Sequence, residues 1–221
     1  MEKPICVLGL DVSSSKIGIA VLDEKKNILT SEVLKLSSDL SLEERGLMLE
    51  NKLIKLNKHY YIDDVFIEEP FIAFGGGKTT AHTMATLQRF NGMCSYIVFK
   101  VFELEPVMVS VRSARTKLGI KIPKGTKKGD SKKFIIEYVE KNHPDFQYNM
   151  TAHGNPAPGT DDRADAIVIA LYGLTLEPSW YKVEAWTKPH YFLLPLENIA
   201  VLVMNSYSFV HFVSTTSVNF P

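Results

Sequence analysis

Cysteine is scarce in this chain of 221 residues: there are two, Cys6 and Cys94. Each lies in an apolar run, where a thiol behaves as a small core group. Two scattered cysteines make neither a disulfide framework nor a zinc site, and no His/Cys cluster with ligand spacing occurs. Net charge is missing too, since 25 Lys and Arg balance 25 Asp and Glu. A neutral chain exerts no global pull on nucleic acid, so any such binding has to come from a local patch. Long hydrophobic runs are also lacking. The run ICVLGL at 5–10 is too short for a signal peptide and has no cleavage-like site before Asp11. The stretch 191–204 is broken by Pro195, Glu197 and Asn198, and is shorter than a membrane span. The sequence therefore predicts no membrane contact and a reducing, cytoplasmic setting. It holds no internal repeat and no low-complexity segment.

What is present is an ordinary globular composition, 45% hydrophobic and 23% charged, enough for one sizeable domain and some extra. Residues 5–10 read as a buried strand, 17–22 as a second, and 27–36 as a third, joined by short turns. Ser41 followed by Glu44 forms a capping-box pattern ahead of a helix with Leu42, Leu49, Leu53 and Leu56 on roughly one face. Residues 65–67 read as a fourth strand, 80–99 as a long apolar helix and 106–111 as a fifth strand. Residues 112–129, rich in Lys and Gly, predict a loop or short helix. A helix over 132–142 stops before Pro144, an irregular loop follows, and Thr160 is the predicted cap of a last helix that Gly173 ends. Strands that give way to alternating helices and strands indicate an α/β mixed sheet: an antiparallel meander, then parallel strands, with helices on both faces. From Leu174 the composition changes to few charges and many aromatics, without a clear period.

Acidic residues mark the ends of these elements. Asp11 closes the first strand, Glu68 and Glu69 the fourth, and Asp161, Asp162 and Asp165 lie early in the last helix. Taken singly, each has a plain structural role as a turn former, a solvated strand end or a favourable charge at a helix N-terminus. Asp165 fits that role least, because it lies past the first turn among Ala164, Ala166 and Ile167. If the first and fourth strands are neighbours, their ends meet at one rim, and Asp162 and Asp165 share a helix face. Converging carboxylates repel one another unless a cation compensates, and oxygen-only donors suit Mg2+ or Mn2+.

At these residues the chain resembles the RuvC group of Holliday junction resolvases, within the RNase H-like superfamily. VLGLDVSSSKIGIAV resembles the opening hairpin, FIEEPF with TMATLQRFNGM the second segment, and DDRADAIVIALYG the final helix. The resemblance covers residues 5–173 and implies an RNase H-like nuclease domain over 1–175, with 176–221 as an extension of unknown structure. It implies that Asp11, Glu68, Asp162 and Asp165 are catalytic and hold the metal, with Mg2+ as cofactor, Mn2+ as substitute, and two ions per site. Glu68 takes the second place over Glu69 on the match to Phe71, three residues later. Ser13–Ser15 depart from the more usual Gly-containing turn. The implied reaction is hydrolysis of a DNA phosphodiester leaving a 5′ phosphate. The implied substrate is branched DNA, above all four-way junctions, cut by paired symmetric nicks. Two symmetric cuts imply a C2 homodimer, with the 80–99 helix as candidate dimer face.

Nine basic residues crowd residues 112–133: Arg112, Arg115, Lys117, Lys121, Lys124, Lys127, Lys128, Lys132 and Lys133, opposed by Asp130 alone. Such a run is a phosphate-binding field or a solvated loop. By resemblance, Lys117 and Lys132 match basic positions of the family, Lys132 with an uncertainty of one residue against Lys133. Phe71 and Phe74 flank FGGGK and are either packing residues or, for Phe71, a stacking group at a junction centre. That loop lacks the spacing of a P-loop. Three other readings compete: a YqgF-like RNA-processing nuclease, a phosphotransferase or ATPase of the sugar kinase and actin class, and a non-catalytic DNA-binding protein of the same fold.

Overall fold

The apolar run near the start of the chain forms β1 (Cys6–Val12), in which every residue but Asp11 is buried. β2 (Lys16–Asp23) returns antiparallel beside it, and β3 (Ile28–Lys35) lies antiparallel to β2. Ser13 closes the β1–β2 turn. Its N–H and its hydroxyl both donate to the Lys16 carbonyl, at 3.0 and 2.8 Å. The predicted capping box opens α1 (Leu42–His59): Glu44 N–H donates to the Ser41 hydroxyl and Ser41 N–H to the Glu44 carboxylate. β4 (Ile62–Glu68) then runs parallel to β1. The rest of the order is α2 (Ala81–Phe102), β5 (Val107–Val109), α3 (Val111–Lys117), α4 (Ser131–Asn142) and α5 (Thr160–Gly173). The five strands form one mixed sheet in the order β3-β2-β1-β4-β5. This is the expected α/β architecture.

The computed structural model describes residues 5–70, 81–127 and 129–176, which belong to one unit, Met1–Glu177. Phe71, Phe74 and the glycine loop, Lys128, and the extension beyond Leu176 lie outside the described residues. Among the described residues no helix is long and apolar enough to cross a membrane. Both cysteines are buried, as expected.

Strand alternation splits the interior into two cores, because successive side chains point to opposite faces. On one face Leu8, Leu10, Ile17, Ile19, Val65 and Ile67 pack against α1 and α2, with Leu49, Leu53, Phe90 and Val98. On the other, Val7, Ala20, Leu22 and Phe66 meet α3, α4 and α5. α5 lies very close to the sheet on this second face. A Cβ on Gly18 would overlap the Asp162 carbonyl, and one on Gly9 the Ala166 carbonyl. Arg163 anchors the start of α5. Its guanidinium donates to the Ser31 hydroxyl at 2.8 Å and the Gln147 carbonyl at 3.0 Å, and lies 5.0 Å from the Phe146 ring centre.

The details differ from the sequence reading at both ends of α5. Thr160 is not the cap but the first helical residue; the cap is Gly159, at φ 97°. The chain turns there through the left-handed region, which glycine enters without the steric penalty of a Cβ. Gly173 does not terminate the helix by a left-handed turn. It lies within α5 beneath the Phe66 ring, which leaves no space for a side chain, and Leu174 caps the end.

Candidate active site

The parity that divides the two cores also gathers the acids. On β1, Cys6, Leu8 and Leu10 face α1 and α2, so Asp11 faces α5 with Val7. On β4, Val65 and Ile67 face α1 and α2, so Glu68 shares the α5 face with Phe66. Parallel pairing sets Leu10 opposite Ile67, which brings the next residues, Asp11 and Glu68, side by side at the rim. Their carboxyls are in hydrogen-bond contact. Glu69 points the other way and is exposed, while its N–H donates to the Val109 carbonyl at 2.8 Å. Glu68 meets Asp11, and Glu69 does not.

α5 supplies the remaining acids. Asp162 is 6% exposed, and Asp165 is partly buried one turn further on. Burial pushes the Asp11 carboxyl well above its ordinary range, and the hydrogen bond and charge of Glu68 and the charge of Asp162 push the same way. Asp165 is pushed up to about 6, by burial first and by the charge of Asp11 second, with Arg115 opposing. Asp11 thus lies within electrostatic reach of Glu68, Asp162 and Asp165. These are the four acids expected to converge. Asn91, a buried polar residue of α2, donates to the Glu68 carbonyl at 2.9 Å and fixes the end of β4 from the opposite face.

Three basic side chains serve this cluster. Lys16 Nζ lies 2.5 Å from Asp162 Oδ2, and Arg115 Nη2 lies 3.1 Å from Asp165 Oδ1. Lys132 pairs with Asp161. Burial works to raise the Asp161 carboxyl, but the hydrogen bond and charge of Lys132 outweigh it and hold the group below its ordinary value. Arg115 and Lys132, two of the residues expected to bind DNA, each pair with an acid here. Arg112, Lys117 and Lys127 are exposed. Phe71 and Lys128 lie outside the described residues. The sequence reading missed Lys16 and Asn91 as parts of this site. The signal for Lys16 was its spacing: it lies two residues before Gly18, the partner of Asp11 across the hairpin.

No family model and no curated protein matches the sequence. Solved structures do match. Thermus thermophilus RuvC in complex with a Holliday junction substrate is similar at a TM-score of 0.56 and 16% identity, covering 76% of this chain and 91% of that one. Thermus thermophilus RuvC in a second structure gives 0.53 and 17%, covering 76% and 92%. The chain has a RuvC-like fold. The mixed sheet and flanking helices are thus the RNase H-like arrangement that the motifs implied.

Whether the acidic cluster suits a divalent cation is a question of its donors. They are carboxylates alone, which fits a hard ion such as Mg2+ or Mn2+. As the side chains stand, no group of three or more His, Cys, Asp or Glu among the described residues closes on one ion. Lys16 and Arg115 pair with the carboxylates of Asp162 and Asp165. The donor set fits a divalent cation in type.

Proposed function

We propose that this chain is a metal-dependent endodeoxyribonuclease that resolves four-way junctions, or other branched DNA, by paired symmetric nicks, and that it works as a homodimer. The observation that carries this reading is the gathering of Asp11, Glu68, Asp162 and Asp165 at one rim by three separate elements. Folding four acids together raises their free energy, and nothing in the packing of the cores requires it. The likeness to RuvC, seen in one structure with a Holliday junction substrate, supports the choice of substrate.

Asp11, Glu68, Asp162 and Asp165 would hold Mg2+, with Mn2+ as substitute. When bound, the cation would offset the charge that builds up on the phosphodiester during displacement. Without it, Asp11 and Glu68 share a hydrogen bond and Asp11 retains its proton to a higher pH than a free carboxyl. Asn91 keeps Glu68 at the rim by holding its backbone. Arg112, Lys117 and Lys127 would bind phosphates of the DNA arms, a sequence-independent contribution. Phe71 is proposed to stack at the junction centre. A four-way junction has two strands to cut, so a two-fold dimer matches its symmetry. α2 turns Phe90, Cys94 and Val98 inward and leaves Tyr96 and Phe99 exposed, the latter pair being available to a second subunit.

The test is incubation of the full chain with a synthetic four-way junction, a structured RNA precursor and ATP, each with Mg2+ or with EDTA. We expect symmetric nicks in the junction with Mg2+ alone. Cutting confined to the RNA would favour the RNA-processing reading. ATP hydrolysis without cutting would favour a phosphotransferase.

A further inference from the structure

We infer that Lys16 competes with the divalent cation: its ammonium holds Asp162 in the metal-free protein and opposes the binding of an ion at that carboxylate. The inference rests on the metal-site reading above and names the residue that restrains the site's affinity. Several observations support it. The pair reaches the most buried acid of the set: the Asp162 side chain is 9% exposed and the Lys16 side chain 37%. Lys16 is held in place by backbone rather than by a loose loop. It begins β2 opposite Lys35, and its N–H donates to the Ser13 hydroxyl at 3.2 Å. It shares strand parity with Gly18 and Ala20, so it faces α5 beside Asp11. Gly18 lets the Asp162 backbone descend onto the strand, and this descent brings the carboxylate to the ammonium.

The other two pairs do less. Lys132 binds Asp161, which is outside the proposed set, and Arg115 makes one longer contact with Asp165. The ammonium lies on Oδ2 of Asp162, and its positive charge repels a cation brought to the same carboxylate. The carboxylate end of the pair is nearly closed to water, where charges interact more strongly than in solvent. Removing the ammonium frees Asp162 and leaves the acids with less positive charge among them. Both changes favour a cation. A purely structural role for Lys16 has the opposite sign, since a disturbed site would bind the ion more weakly.

The experiment is titration of the full chain with Mn2+ in a calorimeter, without DNA, for wild type, Lys16→Met, Lys16→Gln and Asp11→Asn. We expect Lys16→Met to bind Mn2+ at least about tenfold more tightly than wild type. Lys16→Gln, which retains a hydrogen-bond donor without charge, is expected to fall between the two and serves if the Met variant does not fold. The rise in melting temperature on adding Mn2+ is expected to be larger in both variants. Unchanged or weaker affinity in the variants that fold, with wild type binding and Asp11→Asn not, overturns the role of Lys16 alone. Absence of Mn2+ binding in wild type and in the variants alike overturns the metal site itself, and the inference with it.

Discussion

Glu68 and Glu69 are adjacent and chemically alike, yet strand parity gives them opposite environments. Glu68 touches Asp11, and Glu69 is exposed on the other face. Glu68→Gln is expected to lower junction cutting by more than about a hundredfold. Glu69→Gln is expected to stay within about threefold of wild type, as exposed substitutions usually do. Rates for the two variants side by side check the assignment; equal losses would break it. Asp165 gives a pH dependence. The folded state holds its proton up to about 6, against 3.8 as its ordinary value. The folded state therefore binds more protons than the unfolded chain between those values. Stability is full below the lower value and is lost as pH rises through the upper one, by up to about 3 kcal/mol. Asp11, raised by burial and by Glu68, acts in the same direction. In EDTA, urea midpoints are expected to fall from pH 4.5 to 7.5, and less steeply in Asp165→Asn; an identical slope would contradict this. Asp11 and Glu68 were legible near strand ends and Asp162 at the start of a helix, while Asp165 stood out because it lies past the first turn among apolar residues. Their parity was not, because β1 is buried on both faces and its unbroken apolar run hides which side each residue takes.

At the scale of elements, α5 against the β1–β2 hairpin is the contact that builds the site. It depends on backbone meeting backbone at Gly9 and Gly18. Gly18→Ala puts a methyl group into the Asp162 carbonyl and drives the helix outward. We expect a loss of about 1–3 kcal/mol in urea unfolding, the usual cost of overpacking, and weaker Mn2+ binding because Asp162 moves with the helix. Wild-type stability and Mn2+ affinity in Gly18→Ala would show that the contact is not limiting. The helices themselves were readable. The capping box of α1 was visible in Ser41 and Glu44, since that pattern is local. The start of α5 was read one residue late, because Gly159 is set by the preceding loop packing over Val33, a long-range circumstance no local pattern encodes. The basic stretch was read as a loop or short helix, and its first part is helix α3.

For the whole molecule, a neutral chain concentrates its positive charge along α3, the loop after it and the start of α4, close to the acidic rim. Junction binding is then expected to weaken steeply with salt. Lys117→Ala, which removes an exposed charge from α3, is expected to lower the slope of log affinity against log salt by about 0.9. An unchanged slope would take Lys117 out of the DNA contact. The overall architecture was legible from the order of elements, since a meander followed by alternating helices and strands admits few arrangements. The basic side chains were harder to assign, because a lysine or arginine that answers a buried carboxylate looks the same in sequence as one that answers a phosphate. Arg115 and Lys132 pair with Asp165 and Asp161. The most direct test of the whole reading is the nicking of a labelled four-way junction in Mg2+ by wild type and by Asp11→Asn, with binding followed in parallel. We expect wild type to cut symmetrically and Asp11→Asn to bind the junction nearly as well without cutting it. Cutting by Asp11→Asn at the wild-type rate would contradict the claim that these acids perform the reaction.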